Sequence, residues 1–409
     1  MSEKKINRWA ILIASCVINL CIGSVYAWSV FSPAMATYLG TISGAEVTPE
    51  QLSIVFTVAN LLGPITMISG GKINDTLGPR LVLILGGLLF GSGLLISGFS
   101  KSISMLILGY GICSGLGMGF AYGCTVSNAV KFFPDKSGLA GGICTAAYGL
   151  SSVILSPIAS IIIGKVGICD TFRYLGIAVG MIVCVSSLFI RKCPENISKS
   201  VAKQTSGEHL QVDKDWKQML KSPVFYVMFI TLICGAFSGM MFISQASSIA
   251  QRIMGVSTSY AAAVVSVLAL FNALGRVATG YLSDRFGRIN TLSVACVIEF
   301  LGVLLLMTTG YHSQIGFLAG IMMIGFAFGA FMGIYPGFTA EQFGVKNNSV
   351  NYGIIFIGFA IAGYIGPLTM RLILTNTGVY TIAFIIAMCN SITGLALTFV
   401  YRKLVKKEH

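Results

Sequence analysis

The sequence predicts an all-α membrane protein with twelve transmembrane helices in two pseudo-symmetric six-helix bundles. Three observations predict it. Only 10% of the 409 residues are charged and 55% are hydrophobic, with a mean hydropathy of +0.84. A soluble domain carries about 25% charged residues, so too few charges are present to coat a water-facing surface of this size. The apolar residues fall in stretches of about the 20 residues needed to cross a bilayer. One polar segment also recurs at the same place in both halves of the chain.

The spans run near 9–38, 52–71, 80–100, 103–131, 137–164, 171–190, 223–250, 258–282, 289–309, 313–340, 350–372 and 378–401. The first is long and lacks a small-residue cleavage site, so it reads as a retained helix and not a signal peptide. Span four (GYGICSGLGMGFAYG) places Gly111, Gly115, Gly119 and Gly123 at four-residue intervals, on one helix face that lets another helix approach closely. Pro64, Pro157, Pro336 and Pro367 lie within spans, where neighbouring groups re-satisfy the freed backbone. The one long polar stretch, 193–221, is a linker between an N-terminal bundle (1–192) and a C-terminal bundle (222–409). Its DKDWKQML piece reads either as a short amphipathic surface helix or as solvated linker.

Orientation follows from the basic residues. With both termini inside, 21 of the 27 Lys and Arg fall on the inner side, five on the outer side, and Arg276 within a span. The expectation is a multi-pass inner (plasma) membrane protein with both termini cytoplasmic. The net charge of +13 then meets anionic lipid and requires no nucleic acid. The 11 cysteines lie mostly singly and form no C-x-x-C pair, so they read as small packing residues. No P-loop or other cofactor motif appears. The three His (His209, His312, His409) lie outside the spans, and no metal or nucleophile–base constellation is present. The expectation is a monomer that is not an enzyme and carries no metal or cofactor.

The repeated segment is GKINDTLGPR (71–80) after span two and GYLSDRFGR (280–288) after span eight. Gly71 matches Gly280, Asp75 matches Asp284 and Gly78 matches Gly287. Arg80, Arg285 and Arg288 add basic groups. The first Gly allows close helix approach. The Asp ends a helix where it can pair with a cation or a helix N-terminus, and the second Gly permits a tight turn. The closing Arg reads as an anchor in the phosphate layer.

Two ionisable groups fall inside spans, where a charge costs about 2.5–3.5 kcal/mol on insertion scales. Arg276 stands eight residues before Asp284, about 12 Å into the bilayer. A guanidinium stays charged in any environment and grips a carboxylate through two parallel hydrogen bonds. Asn272, one turn earlier on the same face, orients it or binds substrate. Glu299, midway along span nine, reads as a counter-charge for Arg276, a proton carrier, or a group facing polar neighbours at a bundle edge.

The duplicated loop resembles the signature of the major facilitator superfamily, with departures at Thr76 and Pro79. In that superfamily two six-helix bundles rock about a central site. The wider chain resembles its oxalate–formate antiporter branch and monocarboxylate-carrying relatives. The match runs through NRWAILIASCVINLCIGSVYAWSVF (7–31), AYGCTVSNAVKFFPDKSGLAGGICTAAYGL (121–150), GRVATGYLSDRFGR (275–288) and NYGIIF (351–356). The resemblance makes Arg276 the substrate-binding arginine. It also brings Tyr26, Trp28, Tyr122, Tyr148, Phe328 and Phe356 to the cavity, with helix packing as the alternative role for each. The oxalate exchangers carry a second basic residue in span eleven, where this chain has Phe359. One cation balances a monoanion and leaves a dianion half compensated.

The expected function is therefore secondary transport of a monocarboxylate of the lactate, pyruvate or formate type. Alternating access around Arg276 would operate by proton symport or anion exchange. The alternatives are oxalate–formate exchange and, in another class, a carboxylate-binding sensor.

Overall fold

The computed structural model describes residues 7–49, 51–194, 213–308 and 313–408. His209, His312, His409 and most of the central linker lie outside the described residues. Eleven uninterrupted helical stretches in the described residues are long and apolar enough to cross a membrane. One of them, Pro134–Phe189, is 56 residues long, twice what a bilayer needs. It breaks at Gly167, whose φ of 79° and ψ of 169° no helix contains. The spans are thus α1 (Arg8–Ser43), α2 (Ser53–Leu77), α3 (Pro79–Ser97), α4 (Ile103–Phe132), α5 (137–166) and α6 (168–189) in the first half. The second half holds α7 (Pro223–Met254), α8 (Thr258–Phe286), α9 (Arg288–Thr308), α10 (Gln314–Phe343), α11 (Asn348–Thr377) and α12 (Thr381–Glu408).

The ends of these helices follow from local chemistry. Asn7 caps α1 by accepting the N–H groups of Trp9 and Ala10. Before α7, Asp215 and Gln218 form a reciprocal capping box that starts a short helix, Trp216–Lys221. Of DKDWKQML, the part from Trp216 onward is thus helical. α2 and α8 run further than the sequence spans, through the repeated segment to Leu77 and Phe286. Each then stops at the second motif glycine. Gly78 and Gly287 have φ of 98° and 86°, a region that side chains disfavour.

Contacts group the chain into two compact units. The first comprises Met1–Asp135, Ala147–Asp213 and Gly344–Ile354, and the second comprises Lys136–Ala146, Lys214–Phe343 and Ile355–His409. These follow the two sequence halves except that each half gives the other one short segment, the start of α5 and the start of α11.

The repeated motif accounts for both exchanges. In the first unit, Asp75 pairs with Lys131 and accepts the Val350 N–H at the start of α11 at 3.4 Å. Asn74 and Ser127 both reach Ser349, at 2.9 and 2.8 Å. In the second unit, Asp284 accepts the N–H groups of Gly138 and Leu139, both at 2.9 Å, at the start of α5. Each motif carboxylate thus meets the positive end of a helix from the other half. The first motif glycines permit the approach. A methyl on Gly71 would fall 2.8 Å from the Ser349 carbonyl, and one on Gly280 would overlap Gly138 O.

One motif side chain departs from the sequence expectation. Arg288 is buried, not an anchor in the phosphate layer. It pairs with Asp284 at 2.6 Å and Glu341 at 3.0 Å, and it donates to Ser137 and Ser283. Arg80 donates to Leu188 O at 2.9 Å, and Arg285 lies over the Tyr281 ring. The span-four glycines behave as expected. Gly111, Gly115, Gly119 and Gly123 all abut α2, at Val58, Ala59, Gly63 and Met67.

Replacing Asp284 by Ala removes two helix-capping acceptors and the buried partner of Arg288. The expected cost is about 3 kcal/mol. It would be read as a lower unfolding midpoint in a thermal scan of the purified protein, and an unchanged midpoint would contradict this role.

Candidate functional site

Arg276 lies on a part of α8 that other backbones approach closely. On one side α10 presents Gly325, Gly329 and Gly333, at four-residue intervals. A methyl on Gly325 would stand 2.7 Å from Leu268 O, and one on Gly333 would stand 2.8 Å from the Arg276 Cα. A methyl on Gly329 would overlap Asn272 O. On another side the start of α5 presents Gly142, whose absent side chain leaves room for the Arg276 carbonyl. Side chains at these glycines would push the helices apart, so the spacing sets how far the guanidinium sits from its neighbours.

That side chain is only 3% exposed. Its Nε donates to Asn272 Oδ1 at 3.0 Å, and its Nη1 donates to the backbone carbonyl of Thr145 on α5 at 2.7 Å. Asn272 and Arg276, one helical turn apart, are thus hydrogen-bonded to each other. Among the described residues no ion pair includes Arg276. An arginine carries five N–H donors. Two are occupied, which leaves one on Nη1 and both on Nη2, the edge that matches a carboxylate.

Glu299 is not the counter-charge. It is fully buried on α9, where its Oε2 accepts the Ser391 hydroxyl of α12 at 3.0 Å.

Phe328, Phe356 and Phe359 come together within the same unit. Phe356 and Phe359 stack at 4.6 Å, and Phe328 and Phe359 at 6.4 Å. Phe328 is next in sequence to Gly329 and fits against Gly239 of α7, where a side chain would overlap its ring.

The first unit collects the tyrosines. The rings of Tyr26 and Tyr148 lie 5.1 Å apart, and those of Tyr122 and Tyr148 lie 4.8 Å apart. Gly23 lets α1 approach here, since a methyl would meet the Tyr148 carbonyl at 2.5 Å. Around it α1 tightens to a 3-10 turn over Gly23–Ala27. Trp28 belongs to a different cluster. It packs 4.6 Å from Tyr110, which lies against Phe31 and Phe172.

Sequence reasoning missed the Thr145 carbonyl and the glycines of α5 and α10. The backbone oxygen left no signal, because any residue type supplies one. The glycines did leave one, in IGFAFGAFMG (324–333), the same four-residue spacing already seen in span four.

Comparison with known proteins agrees with this architecture. The family model for the Major Facilitator Superfamily matches residues 13–367 and 280–409. The oxalate:formate antiporter of Oxalobacter formigenes is 28% identical over 398 residues, which cover 96% of this chain and 91% of that protein. Monocarboxylate transporter 12 of Xenopus laevis is 24% identical over 422 residues, covering 95% and 88%. Among solved structures, a proton:xylose symporter bound to 6-bromo-6-deoxy-D-glucose superposes with a TM-score of 0.75 at 12% identity, covering 96% of this chain and 95% of that one. With twelve spans, a motif repeated in both halves and a family model spanning nearly the whole sequence, the chain belongs to the major facilitator superfamily.

Proposed function

We propose that this transporter carries a small monocarboxylate of the lactate, pyruvate or formate type by alternating access around Arg276. The observation that carries the reading is the buried guanidinium with three N–H donors left over and no carboxylate partner among the described residues. A monoanion supplies the missing charge and accepts two parallel hydrogen bonds. The relatives whose names refer to oxalate, formate and monocarboxylates support an anionic substrate class. Phe359 supports the monovalent choice. It stands where the resemblance to oxalate exchangers places a second cation, and it is stacked with Phe328 and Phe356, apolar rings suited to a small apolar tail.

The mechanism follows from the cost of a bare buried cation. Substrate binding neutralises Arg276, so closure around the loaded site is favoured. The Asn272 amide and the Thr145 carbonyl give the empty guanidinium two acceptors, which lowers the cost of reorienting without substrate. Oxalate–formate exchange is the second reading, since the Oxalobacter relative covers almost the whole chain.

The test is uptake of radiolabelled L-lactate, pyruvate, formate and oxalate into proteoliposomes. Arg276→Ala and Arg276→Lys are each expected to lower monocarboxylate uptake on the order of a hundredfold, the scale of losing a buried charge-assisted pair. Undiminished uptake in Arg276→Ala would remove the basis of the reading.

The partial pairing of the empty guanidinium generates a separate expectation. Preloaded vesicles placed in substrate-free medium should show net efflux, which proton symport would speed under an outward proton gradient and slow under an inward one. Efflux that occurs only when external substrate is supplied would identify an obligatory exchanger and contradict this use of Asn272 and Thr145.

A further inference from the structure

The strongest unexplained group in the molecule is Glu299. It is 0% exposed, and its Oε1 is among the buried atoms with no hydrogen-bond partner. Its Oε2 has one partner, the Ser391 hydroxyl of α12, which also lies 3.1 Å from Ala387 O. Ser238 of α7 is the second hydroxyl beside the carboxyl group, and its Oγ donates to the same Ala387 carbonyl at 3.5 Å. α12 comes close at Gly394, where a methyl would stand 3.3 Å from Cys296 Sγ and 3.5 Å from Cys234 Cβ.

The titratable neighbours are uncharged groups: Cys296 on α9, Cys234 on α7 and, beyond them, Tyr335 of α10. Tyr335 donates its hydroxyl to Met228 O at 2.7 Å. Three arginines of the same unit make their hydrogen bonds and ion pairs with other groups. Arg276 is held by Asn272 and Thr145, Arg288 by Asp284 and Glu341, and Arg402 by Asn290 and Ser293. Among the described residues no ion pair includes Glu299.

A dry carboxylate needs a cation or several donors on its two oxygens. Glu299 has one hydroxyl donor and one bare oxygen. A carboxylic acid asks for far less. Its carbonyl oxygen accepts from Ser391, and its own O–H needs a single acceptor, for which Ser238 is the hydroxyl beside it. We propose that Glu299 is a standing proton site: a neutral carboxylic acid, sealed from water, that ties α9 to α12 and α7. A proton so enclosed does not move with the substrate. Glu299 is then a fastener of the second unit and not the group that couples transport to protons. This inference goes beyond the carboxylate reading of Arg276 and does not depend on it.

Infrared spectroscopy of the purified protein tests it. The wild type is expected to show the C=O stretch of a protonated carboxyl in an apolar setting. That band should be present at neutral pH and exchange slowly in heavy water. Glu299→Gln, which keeps the shape and the neutral hydrogen bonds, is expected to lose that band. A wild-type spectrum with no such band at neutral pH would show an ionised Glu299 and overturn the proposal, whether or not the variant folds. Loss of proton-driven uptake in Glu299→Gln with substrate exchange intact would overturn it as well, by making the proton a transported one.

Discussion

The proposed site is organised around a buried cation, Arg276, that has no counter-charge among the described residues. Arg276 cannot neutralise itself by losing a proton, as a buried Lys or Glu can. Its surroundings must therefore meet its hydrogen-bonding needs without cancelling its charge. Asn272 and the Thr145 carbonyl do this with neutral dipoles, and they leave the Nη2 edge open. A protein carboxylate in their place would satisfy the cation permanently and, on the proposed function, remove the reason for an anion to bind.

Holding such a group in place needs rigid neighbours at close range. The backbone of α8 around Arg276 is gripped by glycines from α10 and from the start of α5. At the motif ends of α2 and α8, the same economy of space brings a carboxylate against a helix N-terminus donated by the other half of the sequence. Small residues thus set the distances, and a few charge–dipole contacts fix which segments pack together. The apolar remainder of each helix faces lipid or other helices and carries little positional information of its own.

Much of this was legible in the sequence because membrane proteins obey strict rules. Span length and charge placement revealed the helices, and duplication of the Gly71–Asp75–Gly78 pattern at Gly280–Asp284–Gly287 revealed the two halves. Arg276 stood out because a charge inside a span needs a reason. What stayed hidden depended on tertiary contacts. Arg288 looks like a phosphate anchor until Asp284, Glu341 and Ser137 surround it. Trp28 and Tyr26 are two residues apart across the end of a 3-10 turn, on different faces, so they join different aromatic clusters. Glu299 had three readings from its position alone. Its hydroxyl partners on α12 and α7 removed the counter-charge reading, since those helices lie far along the chain.

The central claim is that one cation, Arg276, with no second cation beside it, sets a preference for monovalent carboxylates. The most direct measurement is the ratio of oxalate to lactate uptake in wild type and in Phe359→Lys proteoliposomes, which adds a cation where oxalate exchangers carry one. The account predicts a low ratio in wild type and a rise of about tenfold or more in the variant, the scale of one added charge pair. A wild type that takes up oxalate as readily as lactate, with no change in Phe359→Lys, would contradict it.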